Sequence, residues 1–129
     1  MASEGDVGRL FLALGEGRLA QHVAEHPVRF SPRAFVDVVL CTEEYPAPAK
    51  GGARIDGLDP LPEGVYVFHG GTKRVGTTVV TAGGRVLHAV GHGETVARAR
   101  ERAYAAAERI TWPGRSYRSD IAADPMEVA

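Results

Sequence analysis

The sequence predicts a β-rich α+β domain, and three observations carry that prediction. Residues 34 to 41, "AFVDVVLC", form a β-branched, almost continuously apolar run of the kind that fills a buried strand. Further short apolar runs, "VYVFH" at 65 to 69 and "TTVVTAGGRVLHAV" from 77, are separated by glycine-rich turns. From Thr95 to Ile110 the period changes to that of a helix, with Val96, Ala99, Ala103, Ala106 and Ile110 on one narrow apolar face.

The chain has 129 residues, enough for one domain that folds without a metal or disulfide. Hydrophobic residues make up 44% and charged residues 24%, the balance of a water-soluble domain. A formal net charge of −1 supplies no basic field for nucleic acid or a membrane surface. Cys41 is the only cysteine, so no internal disulfide forms and a reducing cytoplasm is the expected compartment. The apolar run near the N-terminus extends only from Leu10 to Leu14, which is too short for a signal peptide or a span.

In chain order, Val7, Leu10, Phe11 and Leu14 recur at helical spacing and predict a short amphipathic helix ending near Gly15 and Gly17. Residues 34 to 41 follow as the central strand. "EEYPAPAKGG", 43 to 52, is a loop, because two prolines and two glycines forbid a regular element. "GLDPLPEG" is a second turn-rich connection, "VYVFH" a strand, and "GGTKRVGTT" a hairpin. "TTVVTAGGRVLHAV" supplies the next strand or pair of strands. The helix at about 95–110 is expected to pack on the sheet and to stop at Pro113 and Gly114. "SYRSDIA" is a last extended segment and 123–129 a frayed tail, giving one domain over 1–129 with four to six strands and two helices.

The stretch "VVTAGGRVL", 79 to 87, poses the functional question, because glycines weaken a strand and an arginine interrupts its apolar pattern. Glycines let a backbone approach a ligand, and arginine holds phosphate in a two-pronged fork. Gly83, Gly84 and Arg85 therefore suit an anionic group; the plain structural alternative is a β-bulge with Arg85 in solvent. His69 ends a strand before two glycines, where it would contact a ligand or cap the hairpin. His88 and His92 are four apart, a metal-pair spacing only on a helix, and no third ligand is well placed. Arg98, Arg102 and Arg109 lie roughly on one side of the late helix, but Glu101 and Glu108 interleave them, the pattern of a solvated face. Lys73, near a hairpin, lacks the Met-Lys-Met or Asp-Lys-Ala context of a biotinyl or lipoyl carrier.

Taken in this order, "EEYPAPAKGGARIDGLD", "VFHGGTK", "VVTAGGRVL", "ARERAYAAAERI" and "YRSDIA" resemble the C-terminal region of glycinamide ribonucleotide synthetase, a member of the ATP-grasp superfamily. The resemblance runs from about residue 7 to 122. It implies a barrel-sandwich-hybrid-like C-terminal domain that folds against an ATP-grasp core and helps wall the substrate site. The enzyme joins glycine to 5-phosphoribosylamine at the expense of ATP, with magnesium. The resemblance implies that Lys73 joins Arg85, Gly83 and Gly84 in holding the substrate phosphate, with His69 and Thr72 as further candidate substrate contacts. It implies no catalytic residue, metal ligand or cofactor in this chain. ATP, magnesium and the family's Arg-Leu-Gly-Asp-Pro-Glu signature belong to the core, expected as the missing part or a separate chain. A domain of this kind is expected to be inactive alone; a stand-alone binding or docking module is the alternative. The sequence departs from the family at His88 and His92, where a small and an apolar residue are usual. It also departs at Glu94, where the usual Asp would cap the helix more firmly.

Overall fold

A computed structural model describes residues 3–123, and the chain divides after Arg33 into two compact units. The expected tail at 123–129 lies, beyond its first residue, outside the described residues.

In the first unit, β1 (Ser3–Glu4) pairs antiparallel with β2 (Arg29–Phe30), and two helices connect them. Helix α1 (Val7–Gly15) is the amphipathic helix expected from the sequence; Asp6 caps it by accepting from the Arg9 N–H at 3.1 Å. Helix α2 (Leu19–Glu25) was not foreseen, because it has neither a side-chain cap nor a clear apolar stripe. The apolar face of α1 stays largely open: Phe11 is 66% and Leu14 54% exposed, and Ala13 is the residue that α1 buries.

The second unit holds the main core. Strand β3 (Ala34–Thr42) pairs on one side with β7 (Arg85–Gly93), and β7 pairs with β4 (Val65–His69). β8 (Arg115–Ser116) adds a short antiparallel edge to β3, so the four strands run in the order β4, β7, β3, β8. β5 (Thr72–Val75) and β6 (Thr78–Thr81) form a separate two-stranded hairpin. Gly76, at φ +59°, supplies the left-handed residue that a two-residue hairpin turn requires.

Alternation along β3 sets the two faces of the sheet. Val36, Val38 and Leu40 point into the core with Leu87 and Ala89 of β7. Burying a leucine such as Leu40 or Leu87 contributes about 1.5–3 kcal/mol. Helix α3 (Val96–Arg109) covers this face with Ala99, Ala103, Ala106 and Ala107, and Ile110 follows at its end. The alanines let α3 lie close: a Cβ added at Gly91 of β7 would overlap the carbonyl of Ala99 and the N–H of Ala103.

Four expectations for α3 need correction. Val96 is 40% exposed and does not belong to the buried face. The N-cap is Thr95 rather than Glu94: the Thr95 hydroxyl accepts from the Arg98 N–H at 3.2 Å, a bond that a longer glutamate makes less readily. The helix ends before Pro113 and Gly114, because Thr111 leaves it to pair with Asp56. Arg115 then caps the open carbonyls of Ala107 and Ile110. Arg102 is also not on a solvated face, since it donates to the His92 carbonyl at 2.7 Å.

Candidate functional site

The face of the sheet opposite α3 carries Phe35, Asp37, Val39 and Cys41 from β3 and His88 and His92 from β7. At one end of this face the ladder is irregular: Leu40 stands opposite Leu87 but Cys41 opposite Arg85, so Val86 is an extra residue in β7. Arg85 thereby emerges exposed at the start of its strand, and the Thr42 N–H donates to Gly84 at 2.9 Å to fix the preceding turn.

Of the two arrangements open for "VVTAGGRVL", one strand or a pair, the structure has the pair. The first half of the stretch is β6 of the hairpin and its second half is β7 of the main sheet, with Ala82, Gly83 and Gly84 as the crossing. The glycines are there for room. A Cβ at Gly84 would fall 2.9 Å from Tyr45 Cδ2, and one at Gly71 would fall 2.8 Å from both Gly83 Cα and the Arg85 carbonyl. The two backbones are laced together: Gly71 N–H donates to Arg85 at 2.8 Å and Ala82 N–H to Gly71 at 2.7 Å.

Arg85 borders two concavities. One, of about 520 Å³, is lined by Asp37, Cys41, Tyr45, Tyr117 and Ile121 among others. The second, of about 500 Å³, is lined by Tyr45, residues 46–49, Gly83 and Gly84. Both volumes are in the range of small-molecule sites. The wall at Tyr117–Ile121 is pinned to α3: Arg100 donates to the carbonyls of Ile121 at 3.0 Å and Ser119 at 2.9 Å, and Tyr104 to that of Arg118 at 2.7 Å.

The charges around the larger cavity are unequal in availability. Arg118 is held by Asp120 through two hydrogen bonds of 2.8 and 2.5 Å. The hydrogen bond from Arg118 holds the Asp120 carboxyl below its usual range, and the Arg118 guanidinium is raised in turn. The Asp37 carboxylate accepts a hydrogen bond from His88 Nδ1 at 2.9 Å. The Arg85 guanidinium makes no hydrogen bond or ion pair among the described residues, while its backbone carbonyl accepts from Gly71. Its charge acts on Cys41: burial pushes the thiol up, and the Arg85 guanidinium partly offsets this.

The remaining sequence candidates fall in other places. His69 and Thr72 meet, with His69 Nδ1 3.0 Å from the Thr72 hydroxyl. Lys73 is an exposed residue of β5 opposite Val80, and it lines neither of the two cavities that Arg85 borders. His88 and His92 do share one face of a strand; His92 stacks on Tyr66 with ring centroids 5.3 Å apart. Among the described residues no three His, Cys, Asp or Glu side chains converge as metal ligands. Sequence reasoning missed Tyr45, which both cavities share; the small residue at Gly84 was its signal, read instead as backbone for a ligand.

The fold and site together define a β-rich α+β domain in which the Arg85 guanidinium stands unpaired, among the described residues, at a cavity mouth. Comparison with known proteins places it: residues 35–124 match the family described as "Phosphoribosylglycinamide synthetase, C domain", and the chain belongs to that family. Among similar proteins, the phosphoribosylamine–glycine ligase of Vibrio vulnificus is 40% identical over 122 residues, covering 94% of this chain and 28% of the ligase. That of Streptomyces coelicolor is 41% identical over 118 residues, covering 88% of this chain and 28% of the ligase. The crystal structure of phosphoribosylamine–glycine ligase from Thermotoga maritima superposes with a TM-score of 0.61 at 43% identity, over 68% of this chain and 22% of that one. The chain thus spans little more than a quarter of the length of these ligases. Among the described residues no helix is long and apolar enough to cross a membrane.

Proposed function

We propose that this chain is the substrate-site domain of a phosphoribosylamine–glycine ligase activity, in which ATP, glycine and 5-phosphoribosylamine yield glycinamide ribonucleotide, ADP and phosphate in purine biosynthesis. The observation that carries the reading is Arg85, a guanidinium with no carboxylate partner among the described residues, at the mouth of two cavities. A phosphate monoester matches its fork, and Gly83 and Gly84 border the same space. Lys73 follows Gly71, whose N–H is bonded to the Arg85 carbonyl, and in this reading its flexible side chain reaches the same phosphate. His69 and Thr72, joined to each other, then contact the sugar side of the substrate.

In this reading ATP and magnesium belong to an ATP-grasp core, as the resemblance to glycinamide ribonucleotide synthetase implies. The two-stranded hairpin leading directly into the main sheet supports a barrel-sandwich-hybrid arrangement for the domain. A cytoplasmic location follows from the proposed reaction. A second reading, a docking module without chemistry, is favoured by the open apolar face of α1 at Phe11 and Leu14.

The test is complementation. The purified chain should give background ADP release with ATP, glycine and phosphoribosylamine. Adding a relative's ligase truncated to its ATP-grasp core should raise turnover at least about tenfold over the core alone. Turnover by the chain alone, or a mixed complex that forms without any gain in turnover, overturns the reading. The second outcome favours the docking module.

A further inference from the structure

We propose that β4 is a pairing edge through which two copies of this chain join antiparallel about a two-fold axis at Val67. The proposal is independent of the proposed activity. β4 lies at the end of its sheet and pairs with β7 alone. The hydrogen-bond alternation fixes which groups face outward. His92 N–H donates to Gly64 at 2.9 Å and Gly70 N–H to Val86 at 3.0 Å, at the two ends of the β4–β7 register. In an antiparallel ladder the bonded positions recur every second residue. Tyr66 and Phe68 therefore turn their N–H and C=O groups to β7, and Val65, Val67 and His69 turn theirs outward. Among the described residues no backbone hydrogen bond reaches those outward groups.

Edge strands are usually protected by proline, charge or a bulge. Val65–His69 has no proline, lysine or acid, and its register with β7 is unbroken. Its open face carries Tyr66, 46% exposed, and Phe68, 43% exposed.

A second copy fits this edge in one register. With Val67 opposite Val67, outward residues meet outward residues: Val65 faces His69 of the other copy, and every outward N–H finds a carbonyl. Tyr66 then lies opposite Phe68 of the other copy in the non-bonded pairs, where side chains come closest. Charge permits this pairing. In this register Glu63 falls opposite Gly71 of the other copy, so no like charges are opposed along the paired strands. The resulting interface is isologous and closes on itself.

Sedimentation velocity and native mass spectrometry of the full chain test this between about 1 µM and 1 mM. A monomer–dimer equilibrium is expected. Tyr66→Lys with Phe68→Lys places like charges opposite each other and should weaken dimerisation at least about tenfold. Tyr66→Glu with Phe68→Lys places opposite charges there and should recover wild-type association to within about threefold. Folding of the parent chain and of both double variants is checked by circular dichroism, and hydrogen exchange gives an answer without any variant. The Val67 amide should slow at least about tenfold with rising concentration, while the Tyr66 amide is protected throughout. A chain monomeric at 1 mM, a dimer insensitive to the paired lysines, or Val67 exchange independent of concentration overturns the proposal. So does a Val67 amide protected only on adding an ATP-grasp core, which would assign the edge to that core.

Discussion

Gly84 lies against the ring of Tyr45: a Cβ built on Gly84 would fall 2.9 Å from Tyr45 Cδ2. The neighbouring Gly71 meets backbone instead, with Gly83 Cα and the Arg85 carbonyl each 2.8 Å from its added Cβ. The difference decides what a methyl group does at each place. Tyr45 is exposed and can swing, so Gly84→Ala should lower stability by less than about 1 kcal/mol while displacing the ring that both cavities share. At Gly71 neither neighbour can move alone, and Gly71→Ala should cost about 2–3 kcal/mol. Urea titration of both variants checks this; equal losses would mean that Tyr45 is as rigid as the backbone.

The helix–sheet contact should be the least tolerant part of the molecule. Ala103 is fully buried on α3, and its N–H stands against Gly91 of β7. Ala103→Glu combines overpacking with a buried, unpaired carboxylate, and a loss above about 4 kcal/mol is expected. A melting temperature within a degree or two of the parent would show that this face does not pack on the sheet.

At the start of α3, Thr95→Ala should cost about 1 kcal/mol, because the Arg98 N–H loses its acceptor. Glu94→Ala should change stability by less than about 0.5 kcal/mol. The reverse order would return the cap to Glu94.

These three cases also show what the sequence could and could not convey. The apolar run at 34 to 41 and the alanine face of α3 depend on local pattern, and both elements lie where that pattern puts them. The glycine crossing is different. Its glycines answer to Tyr45 and Gly71, which are distant in sequence, so local pattern leaves one strand or a pair equally open. Asp37 and His88 are likewise 51 residues apart, and only the register of β3 on β7 brings them to 2.9 Å. Helix α2 lacks both a cap and a stripe and left no local signal. Of the anion-site candidates, Gly83, Gly84 and Arg85 share a cavity because they are consecutive. Lys73 was joined to them by family resemblance, which carries no coordinates.

Cys41 reports on Arg85 without any ligand. Burial raises the thiol above its ordinary value of 9.0, and the Arg85 guanidinium pulls it partly back. The thiolate is the reactive form, so alkylation by iodoacetamide at pH 8 should be severalfold slower in the folded chain than in urea. Arg85→Ala removes the lowering charge and should slow the folded chain further. The sign for stability follows: an acid whose folded pKa is raised loses stability as pH rises above its unfolded value, so Cys41→Ser should flatten any decline above about pH 9. Faster alkylation in Arg85→Ala would show that the guanidinium does not face the thiol.

The phosphate assignment is best tested in the complemented enzyme, where the core excludes water and strengthens each charged contact. Arg85 has no carboxylate to neutralise among the described residues, so its loss removes a ligand contact without exposing an unpaired acid. Arg85→Ala should raise the apparent KM for phosphoribosylamine by roughly ten- to a hundredfold, matching the loss of about 1.5–3 kcal/mol for a charged hydrogen bond. The KM for ATP should stay within about twofold, because the nucleotide is assigned to the core. Arg85→Lys should recover only part of the loss, since lysine keeps the charge without the fork. Lys73→Ala separates the two cations: it should also raise the phosphoribosylamine KM if its side chain reaches the same phosphate from β5. An unchanged KM in Lys73→Ala would confine the site to Arg85 and its glycines. Normal phosphoribosylamine kinetics in Arg85→Ala would remove the phosphate from this cavity and leave the glycine pair as a crossing that only Tyr45 and Gly71 require.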